Sequence, residues 1–203
     1  MGFASNMMRI VTIGILIAAL IRPASAGSEG GLLAYEAGDY GAAYRELGPI
    51  AATGDAASAY VLSRMYFAGQ GVPRNPDEGL KWLRLAATRG EVNAQVQLAT
   101  RFDNGVGLAQ DDAEAFRWYR RAADQGSPAA QLQLGIMYGN GRGTPVDLVE
   151  AHVWLNLATA SLPAGEIRNS AAKLRDTITT RLAPEQIAIA HQRARDWRAA
   201  RLQ

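Results

Sequence analysis

Two histidines, His152 and His191, are the first place to look for chemistry in this chain. Imidazole is the side chain best suited to proton transfer and metal ligation near neutral pH. Neither histidine has a second one three or four residues away, the helical spacing that turns two imidazoles toward one metal ion. Cysteine is absent, which excludes disulfides, zinc–thiolate sites and thiol catalysis. The run DDAE at 111–114 gathers three carboxylates, but a calcium loop alternates its oxygen ligands around a central glycine. Acids in this order suit a helix start, where they cap free N–H groups and complement the dipole. GNGRG at 139–143 has the glycine content of a phosphate loop. A phosphate loop follows a strand, whereas this one follows a helical pattern. No Gly-x-Ser-x-Gly elbow is present. The chain is therefore expected to carry no catalytic set, no metal and no cofactor.

The glycine run belongs instead to a pattern that repeats. Segments 55–90, 91–126 and 127–162 align without a gap. Trp82, Trp118 and Trp154 share one column, as do Leu62, Leu98 and Leu134, and Tyr66, Phe102 and Tyr138. Gly69/Gly71, Gly105/Gly107 and Gly141/Gly143 recur, with Glu78, Glu114, Glu150 and Ala86, Ala122, Ala158 in step. Ser58, Leu62 and Tyr66 fall at steps of four, one face of a helix. The Gly-x-Gly loop predicts its end, because glycine accepts the left-handed conformation. Asn75, Asp111 and Asp147 are positioned to cap a second helix, whose inner face carries the tryptophan and alanine columns. A helix pair this short cannot bury its apolar face alone. Stacked pairs can, and the predicted fold is all-α: an α-solenoid in which the tryptophans are core. Residues 28–54 read as a further unit with a shortened loop at Gly38–Asp39. Residues 163–203 read as a terminal cap of two helices, with stripes Ile167, Ala171, Leu174, Ile178, Leu182 and Ile187, Ala190, Ala194, Trp197.

The first 26 residues differ in kind. Arg9, an apolar run from Ile10 to Ile21 and the sequence ASA at 24–26 describe a secretory signal peptide. The expected location is periplasmic or secreted. The alternative is an uncleaved N-terminal anchor, although the run itself is short for about 30 Å of hydrocarbon. Lys and Arg total 21 against 19 Asp and Glu. With Arg9 and Arg22 in the leader, the remainder carries 19 of each, which removes any electrostatic case for nucleic-acid binding. The balance is uneven along the chain: residues 163–203 hold 8 bases and 4 acids.

The 36-residue unit, clearest in LGIMYGNGRGTPVDLVEAHVWLNLA (134–158), resembles the Sel-like repeat family, a longer-looped relative of the tetratricopeptide repeat; AGDYGAA (37–43) resembles the plain tetratricopeptide form. The tail around PEQIAIAHQRARDW resembles tails that close bacterial members. Ser63 and Ala99 replace the family's usual glycine, Leu83 and Leu155 its usual tyrosine (kept at Tyr119), and Leu108 and Thr144 its usual valine (kept at Val72). The resemblance implies a scaffold whose first helices line a concave face. Carried over by column, the partner-binding residues would be Tyr60, Arg64 and Phe67, then Asn93, Thr100, Asp103 and Asn104, then Ile136 and Asn140. Arg64 and Phe67 are expected to lie outside the inter-repeat core. The expected function is a non-enzymatic periplasmic adaptor for a protein or peptide of the cell envelope, in signalling or assembly, with no stable membrane insertion after signal cleavage. The competing class is an envelope hydrolase or ligand-binding protein related to β-lactams or peptidoglycan; the family members that resemblance brings in there are cysteine-rich.

Overall fold

The computed structural model describes residues 27–201; the expected leader, 1–26, lies outside them. Ten helices follow one another among the described residues: α1 (Glu29–Glu36), α2 (Tyr40–Ala52), α3 (Ala56–Ala68), α4 (Pro76–Thr88), α5 (Val92–Asn104), α6 (Asp112–Asp124), α7 (Pro128–Asn140), α8 (Leu148–Ser161), α9 (Glu166–Thr179) and α10 (Pro184–Ala200). α3 pairs with α4, α5 with α6 and α7 with α8. Each second helix then packs on the first helix of the next pair. The fold is an all-α solenoid.

Local chemistry sets the boundaries. Asn75, Asp111 and Asp147 each accept a hydrogen bond from the backbone N–H of the conserved-column glutamate three residues on, at 3.1, 2.9 and 2.9 Å. This satisfies one donor that a helix start leaves free. Gly69, Gly105 and Gly141 close α3, α5 and α7 in the left-handed conformation. The second glycine of the loop has a different role: a Cβ on Gly71 would lie 2.7 Å from the carbonyl oxygen of Tyr40. The loop thus rests its backbone directly on the start of α2, in the preceding unit.

The core runs along the array. Leu62, Leu98 and Leu134 are at most 1% exposed, each worth about 1.5–3 kcal/mol of burial. Ser58, Ala94 and Ala130 are sealed, as are Ser63 and Ala99, so helices approach closely there. Gly135 has no such latitude, since a Cβ would come within 2.7 Å of Leu155 Cγ.

The tryptophan column departs from expectation. Only Trp154 is sealed, at 2% exposure; Trp82 and Trp118 are half-buried at the core's edge. The centre belongs to the next column, Leu83, Tyr119 and Leu155. Trp154 is covered because α10 folds back along α8. Trp197 meets its indole edge-to-face at 6.1 Å between centroids. Glu150 accepts from Trp154 Nε1 at 3.1 Å through one oxygen and pairs with Arg193 at 2.7 Å through the other. Arg201 then donates to the carbonyls of Asp124 and Gln125, closing the end of α6.

The stripe expected on α9 is also only half used. Ala171 and Ile178 are buried, but Ile167 is 64% and Leu174 42% exposed. The reason is the same fold-back: α10 lies against α8, so no following helix covers the remainder of that stripe.

Candidate functional site

The first helices α1, α3 and α5 lie side by side and leave a groove of about 270 Å³ between them. Leu32, Tyr35 and Glu36 line it from α1, Ala57, Tyr60, Val61 and Arg64 from α3, and Glu91 and Asn93 from the start of α5. Three of the residues carried over by column, Tyr60, Arg64 and Asn93, therefore share one surface. The lining is mixed: an arginine, two phenols and the Glu36 carboxylate toward α1, an amide and a second carboxylate toward α5.

Each side chain is held from behind. Tyr35 donates its hydroxyl to Gln70 Oε1 at 3.2 Å, and Gln70 Nε2 donates to the Tyr40 hydroxyl at 2.9 Å. The glutamine in the glycine loop of α3–α4 thus fixes two tyrosines of the preceding unit. Arg64 spreads its guanidinium over the Tyr35 ring, 5.2 Å from the centroid. Burial raises the pKa of the Tyr60 phenol, against the lowering pull of Arg64 and with the support of Glu91. It stays protonated near neutral pH and can donate a hydrogen bond. Asn93 Nδ2 donates to Glu91 Oε1 at 3.0 Å, which orients the amide at the groove's edge.

The remaining carried-over residues are spent differently. Phe67 belongs to the inter-repeat core, contrary to expectation. Its ring lies under the Arg101 guanidinium at 3.8 Å and fills the space that a Cβ on Gly79 would need. Arg101 occupies the column in which Met65 and Met137 are buried, and desolvation lowers its pKa. A ring beneath the cation substitutes for an apolar neighbour. Thr100 hydrogen-bonds the Tyr119 hydroxyl at 3.0 Å. Asp103 pairs with Arg142 from the next glycine loop, which also reaches Asp112 at 2.8 Å. Asn104 donates to the Thr100 carbonyl at 3.0 Å. Thr100 thus joins the two helices of its own repeat, and Asp103 ties that repeat to the next. Ile136 is half-buried and Asn140 exposed, and neither lines the groove.

Two features escaped the sequence. Gln95 and Gln131 are buried and donate to the carbonyls of Ala87 and Ala123, near the end of the preceding helix, at 3.1 and 3.4 Å. Their shared column was the available signal. The two histidines, 39 residues apart in sequence, come together with centroids 5.2 Å apart, His152 on α8 and His191 on α10. No sequence spacing announces that pairing. His152 is 2% exposed and its Nδ1 has no hydrogen-bond partner. Its pKa falls below 6.5, chiefly through burial, then through His191 and Arg175, with Asp176 opposing. Among the described residues, no group of three His, Cys, Asp or Glu side chains could hold a metal ion. No helix among them is long and apolar enough to cross a membrane.

The 36-residue period survives in three dimensions as helix starts in register, with only α8 one residue longer than its counterparts, and the profile of the Sel1 repeat matches it at residues 56–91, 92–127 and 128–161. The chain belongs to the Sel1 repeat family. A Sel1 repeat protein of Oxalobacter formigenes is 37% identical, with a TM-score of 0.60 over 65% of this chain and 96% of that one. A protective antigen of uropathogenic Escherichia coli strains, displaying an SLR fold, is 28% identical with a TM-score of 0.67. That alignment covers 84% of this chain and 37% of the antigen, so the present chain spans little more than a third of its length. Comparison with curated proteins returns no match. Sel1 repeats are in general protein-interaction scaffolds.

Proposed function

We propose that the protein is a non-enzymatic adaptor of the cell envelope that binds an extended protein segment in the groove across α1, α3 and α5. The observation that carries this reading is the convergence of Tyr35, Tyr60, Arg64 and Asn93 on one surface of three first helices. Aromatic and arginine side chains are the usual anchors of an interface. A protonated phenol and an oriented amide supply donors for a peptide main chain. The leader supports export, and a regulatory or assembly role in the envelope follows from that location.

Cross-linked capture of partners from the native host's envelope tests the proposal. Arg64→Glu combined with Tyr60→Phe keeps the buried ring while reversing the exposed charge and deleting the phenol. The pair should leave the melting temperature near wild type and lower capture at least tenfold, since each anchor is worth upward of about 1 kcal/mol. Arg84→Glu, exposed on the second helix α4, should leave capture unchanged. Loss of capture in the control but not in the pair would move the binding surface to the second helices. Turnover of a β-lactam or a peptidoglycan fragment by the purified protein would replace the adaptor with an enzyme. Sequencing of the exported protein should begin at Gly27; intact Met1 in the membrane fraction would mean a retained anchor.

A further inference from the structure

Both histidines of the chain meet at one joint, His152 on α8 against His191 on α10. Apart from the amino terminus and cysteine, histidine is the group whose ordinary pKa lets it change charge between about pH 8 and 5. The chain has no cysteine, so a side-chain charge change over that range falls on the contact between α8 and α10. That contact is a fastening at the end of the array. Ala190 and Ala194 seat α10 in the core beside Trp154, and Trp197 lies edge-to-face on that indole. Arg193 pairs with Glu150, and Arg201 reaches the carbonyls at the end of α6. α8 is the principal neighbour of α10, most of whose other side chains are exposed. Terminal elements of a stacked array open more readily than its interior.

We infer that this joint is an acid-released latch: protonation of His152, beside His191, frees α10 from α8 and uncovers Trp154. His152 is 2% exposed and its Nδ1 has no hydrogen-bond partner. A proton added to the sealed ring loses its hydration and gains no acceptor at that nitrogen. The groups facing the ring are His191 from α10 and Arg175 and Asp176 from α9. Asp176 is already engaged, accepting from Nε and Nη2 of Arg175. α7, packed along α8 as well, has no charged side chain, and its one phenol, Tyr138, accepts from Arg120. The closed joint therefore admits the neutral ring and resists the charged one, chiefly through burial. Released into water, His152 takes its proton at the ordinary pKa. Acid thus favours the released helix as pH falls below 6.5 toward the folded value, by up to about tenfold per pH unit for one excluded proton. The joint shares no residue with the groove over α1, α3 and α5, so the latch stands independently of the adaptor reading.

Hydrogen–deuterium exchange of the purified protein at pH 7.5 and 5.5, corrected for the exchange of free amides, tests it. The amides of α10 should exchange ahead of those of α3–α6 at both pH values. Their opening equilibrium should rise several-fold toward acid, and about tenfold at most, because one proton with an ordinary pKa supplies no more over that interval. His152→Gln keeps a neutral polar side chain and should abolish the rise. His191→Gln, at an exposed position, should fold as wild type and lessen the rise, since it removes one of the groups that oppose the proton. That variant decides the outcome if His152→Gln does not fold. A rise that persists in His152→Gln, or is equal in wild type and His191→Gln, overturns the inference, as does α10 protection that does not change with pH. Exchange of α10 only in step with α3–α6 overturns it too, because the helix would then open only with the whole array.

Discussion

Replacing Trp154 by alanine should destabilise the protein far more than the same change at Trp118, although the repeat places both in one column. Trp154 is 2% exposed, and a tryptophan of about 200 Å² buried at about 25 cal/mol per Å² amounts to about 5 kcal/mol of transfer free energy. Large-to-small changes at sealed aromatics cost about 3–5 kcal/mol, the cavity included. The change also strips a donor from Glu150, leaving that carboxylate only its pair with Arg193, and it removes the edge that Trp197 packs against. Trp118 is only partly buried, with Arg121 spread over its ring at 4.6 Å, so its truncation returns less area to water and opens no sealed cavity. The gap between the two variants is then about 1–2 kcal/mol. Urea denaturation followed by helical circular dichroism would measure it as a difference in midpoint at constant slope. Because α10 is what seals Trp154, ending the chain at Ala183 should bring Trp154→Ala down to the cost seen at Trp118. Equal midpoints for the two tryptophan variants in the full chain, or an undiminished cost after truncation, would refute the argument that the cap creates this part of the core.

The remaining predictions rest on single contacts. Gly71→Ala should cost roughly 2–3 kcal/mol, combining left-handed strain with the close approach to the Tyr40 carbonyl; Gly38→Ala, also at positive φ but with nothing within 4 Å of a Cβ, should cost only about 1 kcal/mol. The same midpoint assay ranks them, and equal values would remove the loop-on-helix contact from the account. His152, with its folded pKa below 6.5, binds protons more readily when unfolded. Its contribution to stability therefore falls as pH drops through 6.5 toward the folded value. The charges facing it are His191 from α10 and Arg175 and Asp176 from α9. Melting temperatures between pH 7.5 and 5.5 should fall in the wild type and fall less in His152→Gln; an identical slope in both would mean that other groups govern the acid limb.

How much of this could be read from residues alone differs by level. The period of 36 residues, the capping side chains at 75, 111 and 147 and the left-handed glycines at 69, 105 and 141 act within a few residues of themselves. The sequence alone therefore determined the all-α repeat and nearly every helix boundary. Core membership was legible where every repeat has equivalent neighbours, as for the leucine and alanine columns. It failed where neighbours differ. Phe67 and Arg101 occupy ordinary columns, but one meets the other across a repeat boundary, and Phe67 leaves the surface expected of it. Trp154 and Trp118 are chemically the same residue, and only the fold-back of α10 makes one of them core. The histidine pair has the same origin, 39 residues of chain closed by that helix. Tyr60, Arg64 and Asn93 could be assigned to one face by column; that they share a groove with Tyr35 and Leu32 depended on how α1 lies against α3. Local backbone chemistry repeats with the sequence, whereas burial is decided by whichever element lies alongside, and at the two ends of the array the sequence pattern breaks off before that element is named.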